Sequence, residues 1–264
     1  MRVIDGKGGA FVAVRRLPQG LLRGSGCRSS PGSAAWIGRG LSCVCAQRRG
    51  GDVRLLFDFT PSQEECLQRL QSRMNVAYDS TKKEHQEALR ALWYTAYPGV
   101  ELHGLISNQW KEMGWQGKDP STDFRGGGLM SLENLLFFAK NYPKSFQDLL
   151  QKKDGIRAMW EYPFSVAGVN ITFMLKQMFD LQAAKPRSMV EAIFLKLLSE
   201  NEQAFDVLYC ITFKIMDQQW LAMHASYMDF NMVMNSTRLR LEQELLTEDV
   251  HRIEDMPSYM LLNH

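Results

Sequence analysis

Apolar residues recur at intervals of three and four along most of the chain, the spacing that places them on one face of an α-helix. The first such helix follows Thr60-Pro61-Ser62-Gln63. Threonine as N-cap, proline at the first helical position and glutamine two residues later form a capping box. The helix then carries apolar residues at Leu67, Leu70 and Met74. No stretch alternates with a period of two, so we predict an all-α protein, a compact bundle of roughly eight to nine helices with one long ordered Gly-rich loop.

Start and stop signals give the approximate bounds of the other predicted helices. Thr81 serves as N-cap of the second helix, and Pro98-Gly99 ends it. Pro163 and Pro186 each begin a later helix, and Gly114 ends the third. The remaining predicted helices cover 102–113, about 129–142, a short one at 146–150, 163–181, 186–198, one very long helix at 202–230, and a polar continuation at 231–253.

Charge divides the chain into a leader, residues 1–51, and a body, residues 52–264. The leader holds nine basic residues and one acidic residue, and 11 of the 20 glycines. This composition is typical of a disordered or non-native extension, and an organelle transit peptide is the alternative. The body holds 22 basic and 28 acidic residues, which argues against nucleic-acid binding.

Several classes of function find no support in the residues. The five cysteines form neither a disulfide framework nor a zinc-ligand pattern, so we expect a reduced compartment and no metal. The longest apolar run, near 164–179, contains polar residues and is too short to span a bilayer. We therefore expect no cofactor and a cytoplasmic protein.

One segment, residues 110–128, differs from the helices around it, and we call it the motif loop. It reads WKEMGWQGKDPSTDFRGGG, with aromatic residues, glycines and an arginine together. Long loops that contain aromatic residues are usually ordered and often functional. Two interpretations of Arg125 are open. It either pairs with Asp119 or Asp123 as a structural salt bridge, or it projects toward an anionic partner such as a phosphate.

The motif loop resembles the signature of ELMO-domain proteins, in particular the short ELMOD branch with its single-domain plant members. The matching residues are Trp110, Gly114, Trp115, Gln116, Gly117, Pro120, Thr122, Asp123, Phe124, Arg125, Gly126 and Gly128. The resemblance continues through 132–139 and 163–172 and covers about 77–257. It assigns the body as an ELMO domain with its flanking helices, whereas the leader resembles nothing in the family.

This resemblance implies a GTPase-activating protein for Arf and Arf-like small GTPases. Such a protein is not an enzyme in its own right, because it completes the active site of a GTP-bound partner. The motif arginine of the family corresponds to Arg125, the expected catalytic residue, which would act in trans as an arginine finger. Membrane association would be indirect, through the GTPase at endomembranes. The alternative is a non-catalytic adaptor that binds a small GTPase or a Dock-type exchange factor.

The other motif residues are expected to contact the GTPase or support the loop. Trp110 and Trp115 would hold the loop to the bundle, and Asp123 would orient Arg125. For Gln116 we weigh a hydrogen bond to the loop backbone against a role in positioning water. Gly126 and Gly128 fit positive φ angles and should not tolerate larger side chains, whereas Gly127 should tolerate alanine. Gly117, Pro120, Thr122 and Phe124 complete the expected set.

Overall fold

The first helix begins where its capping box predicts. In a computed structural model that describes residues 59–124, 126–183 and 186–263, the Thr60 hydroxyl accepts the backbone N–H of Gln63. The Gln63 side chain accepts the N–H of Thr60 in return. Helix α1 then runs over Pro61–Met74. These reciprocal bonds satisfy N–H groups that a helix N-terminus otherwise leaves without partners.

Seven more α-helices follow within the described residues, and no strand is found there, so the all-α prediction is confirmed. They are α2 (Lys83–Ala96), α3 (Leu129–Asn141), α4 (Pro143–Gln151), α5 (Phe164–Met178), α6 (Met189–Glu200), α7 (Ala204–Ala222) and α8 (Phe230–Leu245). Short 3-10 helices cover Asn108–Met113, Pro120–Thr122, Tyr227–Asp229, Ile253–Asp255 and Pro257–Leu262. None of the described helices is both long and apolar enough to cross a membrane.

Helix α7 lies at the centre of the bundle, where α3, α5 and α8 pack around it. The rings of Phe164 in α5 and Phe213 in α7 stack with centroids 4.9 Å apart. Gly168 allows this close approach, because a Cβ atom there would lie 2.5 Å from the hydroxyl of Tyr209. Helix α3 follows the motif loop directly in the chain and packs against α2 and α5.

Two predicted helix starts are wrong. Helix α2 begins after Lys82 rather than Thr81, because the Thr81 hydroxyl instead donates to the Asp79 carboxylate at 2.7 Å. Helix α6 begins at Met189 rather than at Pro186. Its N-cap is Ser188, whose hydroxyl accepts the N–H of Glu191. In both places a side-chain hydrogen bond, rather than the nearest helix-starting residue, sets the boundary.

Three other predicted helices are also shorter or more divided than expected. The helix predicted over 102–113 is wrong, because only Asn108–Met113 is helical and its form is 3-10. The very long helix at 202–230 is wrong as well. It divides into α7 and α8 where His224 adopts a positive φ of 48° and Ser226 starts a new capping box. Helix α8 ends at Leu245, before the predicted limit of 253. Apolar spacing continues across each break, so periodicity alone does not reveal them.

Candidate functional site

Buried aromatic side chains fix the motif loop to the bundle. Trp110 is fully buried, and its indole N–H donates to the carbonyl of Leu105 at 3.1 Å. Trp115 is 3% exposed and meets the ring of Phe124 edge to face, with centroids 5.1 Å apart. Phe124 in turn contacts the Tyr78 ring at 4.7 Å. The loop therefore has its own apolar core, continuous with that of the bundle.

Hydrogen bonds join the two halves of the motif. The buried Asp123 carboxylate accepts the backbone N–H of Gln116 at 3.0 Å, so two segments within the loop are tied together. Gln116 itself is exposed, and the roles weighed for its side chain stay predictions. Asp119 caps the 3-10 helix Pro120–Thr122 by accepting the N–H of Ser121.

Pro120 and Thr122 take part in the same short helix. Pro120 is buried at its first position, where its missing N–H costs nothing. The Thr122 hydroxyl donates to the carbonyl of Asp119 at 2.8 Å. Gly117 differs, because a Cβ there would contact only the Asp119 nitrogen at 4.0 Å. Nothing in the described structure requires a glycine at 117.

The glycine turn, residues 126–128, is packed against α1 and α3. Gly128 has a φ of 69°, and a Cβ there would lie 2.7 Å from the carbonyl oxygen of Val76. The neighbouring N–H of Leu129 donates to that same oxygen at 3.0 Å. The requirement for glycine at 128 therefore comes from a close backbone approach as well as from the left-handed conformation.

A Cβ at Gly127 would meet a close neighbour, which argues against the expectation that this position tolerates alanine. Gly127 is buried, and a Cβ at this position would lie 1.7 Å from Oγ and 3.0 Å from Cβ of Ser131. Ser131 is on the first turn of α3, so it must move if the glycine is replaced. The middle glycine is thus a packing residue between the turn and α3, which no sequence pattern indicates.

Arg125, the expected catalytic residue, lies outside the described residues. The motif residues on either side of it are described: Phe124 is buried, and Gly128 donates its N–H to the carbonyl of Phe124 at 2.7 Å. This bond closes the chain into a tight turn between 124 and 128. The structure thus brings the motif residues on both sides of Arg125 together in one place.

A cleft of about 400 Å³ lies beside the glycine turn. Its walls include Gly126 and Gly128 from the motif loop and Phe173 and Lys176 from α5. The sequence analysis did not select Lys176 as a site residue, although a lysine within the longest apolar run of the chain could have indicated a role at the site. Burial lowers the pKa of the Lys176 ammonium below its usual value. The cleft therefore joins the motif to a partly desolvated cation.

A larger cleft of about 580 Å³ lies away from the motif, between α1, α3 and the start of α7. Its arginine Arg73 makes two hydrogen bonds to Asp206, at 2.7 and 3.0 Å, and one to Glu133 at 3.1 Å. Arg73 and these two carboxylates satisfy one another, so they favour a structural role. Among the described residues, no group of three or more metal-ligating side chains is found.

Comparison with known proteins places this site in a family. A family model described as the ELMO/CED-12 family matches residues 68–234, more than half of the chain and the whole motif loop. The chain therefore belongs to the ELMO/CED-12 family.

Relatives extend the match beyond the motif. The ELMO domain-containing protein A of Dictyostelium discoideum is 34% identical over 194 residues, 67% of this chain and 20% of that protein. The ELMO domain-containing protein 1 of Bos taurus is 32% identical over 192 residues, 66% of this chain and 57% of that protein. The human ELMO domain-containing protein 2 is 37% identical over 108 residues, 41% of this chain and 36% of that protein. The chain thus spans only part of the length of these curated relatives.

Proposed function

We propose that this protein is a GTPase-activating protein for GTP-bound small GTPases of the Arf/Arl family. Arg125 is the arginine finger that it supplies in trans. The observation that carries the proposal is the complete motif, with Arg125 between residues that the fold holds in fixed positions. Membership of the ELMO/CED-12 family, whose matched residues include the motif loop, also supports it.

The chemistry of GTP hydrolysis explains why an arginine at this position would matter. Hydrolysis requires an in-line water and neutralisation of the charge that develops on the β- and γ-phosphate oxygens. An arginine supplied in trans contributes about 10³ to 10⁵ in rate. Its planar guanidinium donates two parallel hydrogen bonds and stays charged at every physiological pH.

The surrounding structure supports this role through rigidity. A misplacement of about 1 Å can cost about a hundredfold in rate, so a finger residue needs a fixed base. The buried side chains of Trp115 and Phe124 anchor the segment before Arg125. The close packing of Gly128 against the carbonyl oxygen of Val76 fixes the segment after it. Asp123 belongs to the segment before Arg125, and its carboxylate accepts the backbone N–H of Gln116. We propose that Asp123 also orients the Arg125 side chain.

Single-turnover GTP hydrolysis by a panel of Arf and Arf-like GTPases, with and without this protein, tests the proposal. We expect at least one GTPase to be accelerated, and Arg125→Lys to remove most of that acceleration because lysine lacks the bidentate fork. Arg252→Lys is the matched control, since that side chain is 69% exposed and lies far along the chain from the motif.

Two results would contradict the proposal. If Arg125→Lys accelerates every responsive GTPase as well as the wild type, Arg125 is not the finger. If the protein binds a GTP-bound GTPase without accelerating hydrolysis, the adaptor function takes its place.

A further inference from the structure

Lys176 is a cation at the junction of three elements. It belongs to α5, and its Nζ lies 3.3 Å from the carbonyl oxygen of Met74 and 3.5 Å from that of Gly127. Among the described residues it forms no ion pair. Asp180, which lines the same cleft, pairs instead with Arg187 at 3.3 Å. The contacts of the ammonium are therefore to backbone carbonyls.

The two carbonyls belong to segments that must stay together for the motif to keep its shape. Met74 is the last residue of α1, where helix carbonyls have no partner within the helix and attract a cation. Gly127 is the middle residue of the glycine turn. The hydrogen bond from Leu129 to Val76 joins the same two segments at 3.0 Å. Lys176 thus adds a second connection between the end of α1 and the turn that follows Arg125 in the sequence.

A lysine at this position carries a desolvation cost. The side chain is half-buried, and desolvation lowers its pKa, which means that the folded environment disfavours the charged form. A methionine of similar length would avoid this cost. Residues that go against the local preference of the fold are frequently those that serve a site.

We infer that Lys176 is a positioning residue that holds the glycine turn against the end of α1 and thereby fixes the part of the motif loop that follows Arg125. Its effect on GTP hydrolysis rests on the proposed function, whereas its effect on the turn does not. The competing explanation is that Lys176 only caps the C-terminus of α1.

The experiment compares the full chain with Lys176→Met and Lys176→Arg. Lys140→Met is the matched control, because Lys140 is an exposed lysine in the last turn of α3. Hydrogen exchange measures the amides of Gly128 and Leu129. We expect Lys176→Met to accelerate their exchange about tenfold or more with no loss of global stability. Lys176→Arg should restore most of the protection, and Lys140→Met should change nothing.

Hydrolysis measurements add the functional readout on the GTPase that responds best. Lys176→Met should lower the maximal acceleration about tenfold or more, because the finger is misplaced. The concentration for half-maximal acceleration should change by less than about threefold, because the contact surface remains.

The outcomes distinguish the effect of Lys176 on the glycine turn from its effect on GTP hydrolysis. Unchanged exchange at Gly128 and Leu129 in Lys176→Met overturns the inference, as does faster exchange confined to the end of α1, which is the capping explanation. Faster exchange in the turn while the wild type accelerates no GTPase supports the positioning role and overturns the proposed function instead. Faster exchange in the turn with unchanged acceleration overturns the functional part of the inference.

Discussion

Two irregular segments of this protein use tryptophan in opposite ways. The motif loop places Trp115 in the core, where it is 3% exposed. The connection between α4 and α5, residues 152–163, places Trp160 at the surface, where it is 72% exposed, and Ile156 and Met159 in the same segment are more exposed still. The same residue type is thus a structural support in one segment and a surface feature in the other.

The two segments also differ in what holds them. Apolar contacts and hydrogen bonds hold the motif loop, whereas ion pairs, together with the buried ring of Tyr162, hold residues 152–163. Arg157 donates two hydrogen bonds of 2.9 Å to the carboxylate of Asp217, and the Tyr162 hydroxyl donates to the same carboxylate. Lys152 lies 3.4 Å from Glu161. The indole of Trp160 therefore takes no part in this attachment, whereas Tyr162 in the same segment is fully buried.

Of the variants that test this comparison, Trp115→Ala should have the largest effect on the free energy of unfolding. Removing a fully packed indole leaves a cavity, and we expect the free energy of unfolding to fall by about 3 to 5 kcal/mol in urea denaturation. Trp115→Phe should cost much less, because the buried indole N–H has no hydrogen-bond partner among the described residues. A loss below about 1 kcal/mol for Trp115→Ala would mean that the loop is not part of the core.

Asp217→Ala should have the next largest effect, because it breaks a buried ion pair. The carboxylate is 6% exposed and its removal leaves Arg157 and the Tyr162 hydroxyl without that partner. We expect a loss of about 3 kcal/mol, the lower end for such a deletion, since Arg157 keeps Glu161 at 3.2 Å. The double variant Arg157→Met with Asp217→Leu should recover much of the loss. If the double variant is less stable than Asp217→Ala, apolar side chains do not replace the pair and the expected recovery is wrong.

Local patterns predicted the helical elements well where the deciding interactions are close in sequence. The capping box at Thr60 and the end of the 3-10 helix at Gly114, with its φ of 84°, follow directly from residue type. Two tryptophans of the motif were correctly expected in the core. The division between α7 and α8 was not predicted, because apolar spacing continues through His224, where a positive φ ends one helix shortly before the capping box at Ser226.

The candidate site was less predictable than the fold, because its supporting contacts join distant parts of the chain. Ser131 excludes a side chain at Gly127, and Val76 excludes one at Gly128. Neither contact leaves a pattern in the sequence. Lys176 approaches the turn from α5, about 50 residues along the chain. A single sequence shows which residues form the motif, but only the packed helices show which residues hold it.

Trp160→Ala should have the smallest effect and gives the matched partner to Trp115→Ala. The indole is mostly in water, so its removal takes little apolar surface out of a buried environment. The contact that attaches this residue is a backbone one, since its carbonyl accepts the N–H of Tyr227 at 2.8 Å and alanine retains it. We therefore expect the free energy of unfolding to change by less than about 0.5 kcal/mol in the same urea titration. A loss comparable to that of Trp115→Ala would place the Trp160 ring in a packed environment. The ion pairs of Arg157 and Lys152 would then not be sufficient to hold residues 152–163, and the contrast between the two segments would fail.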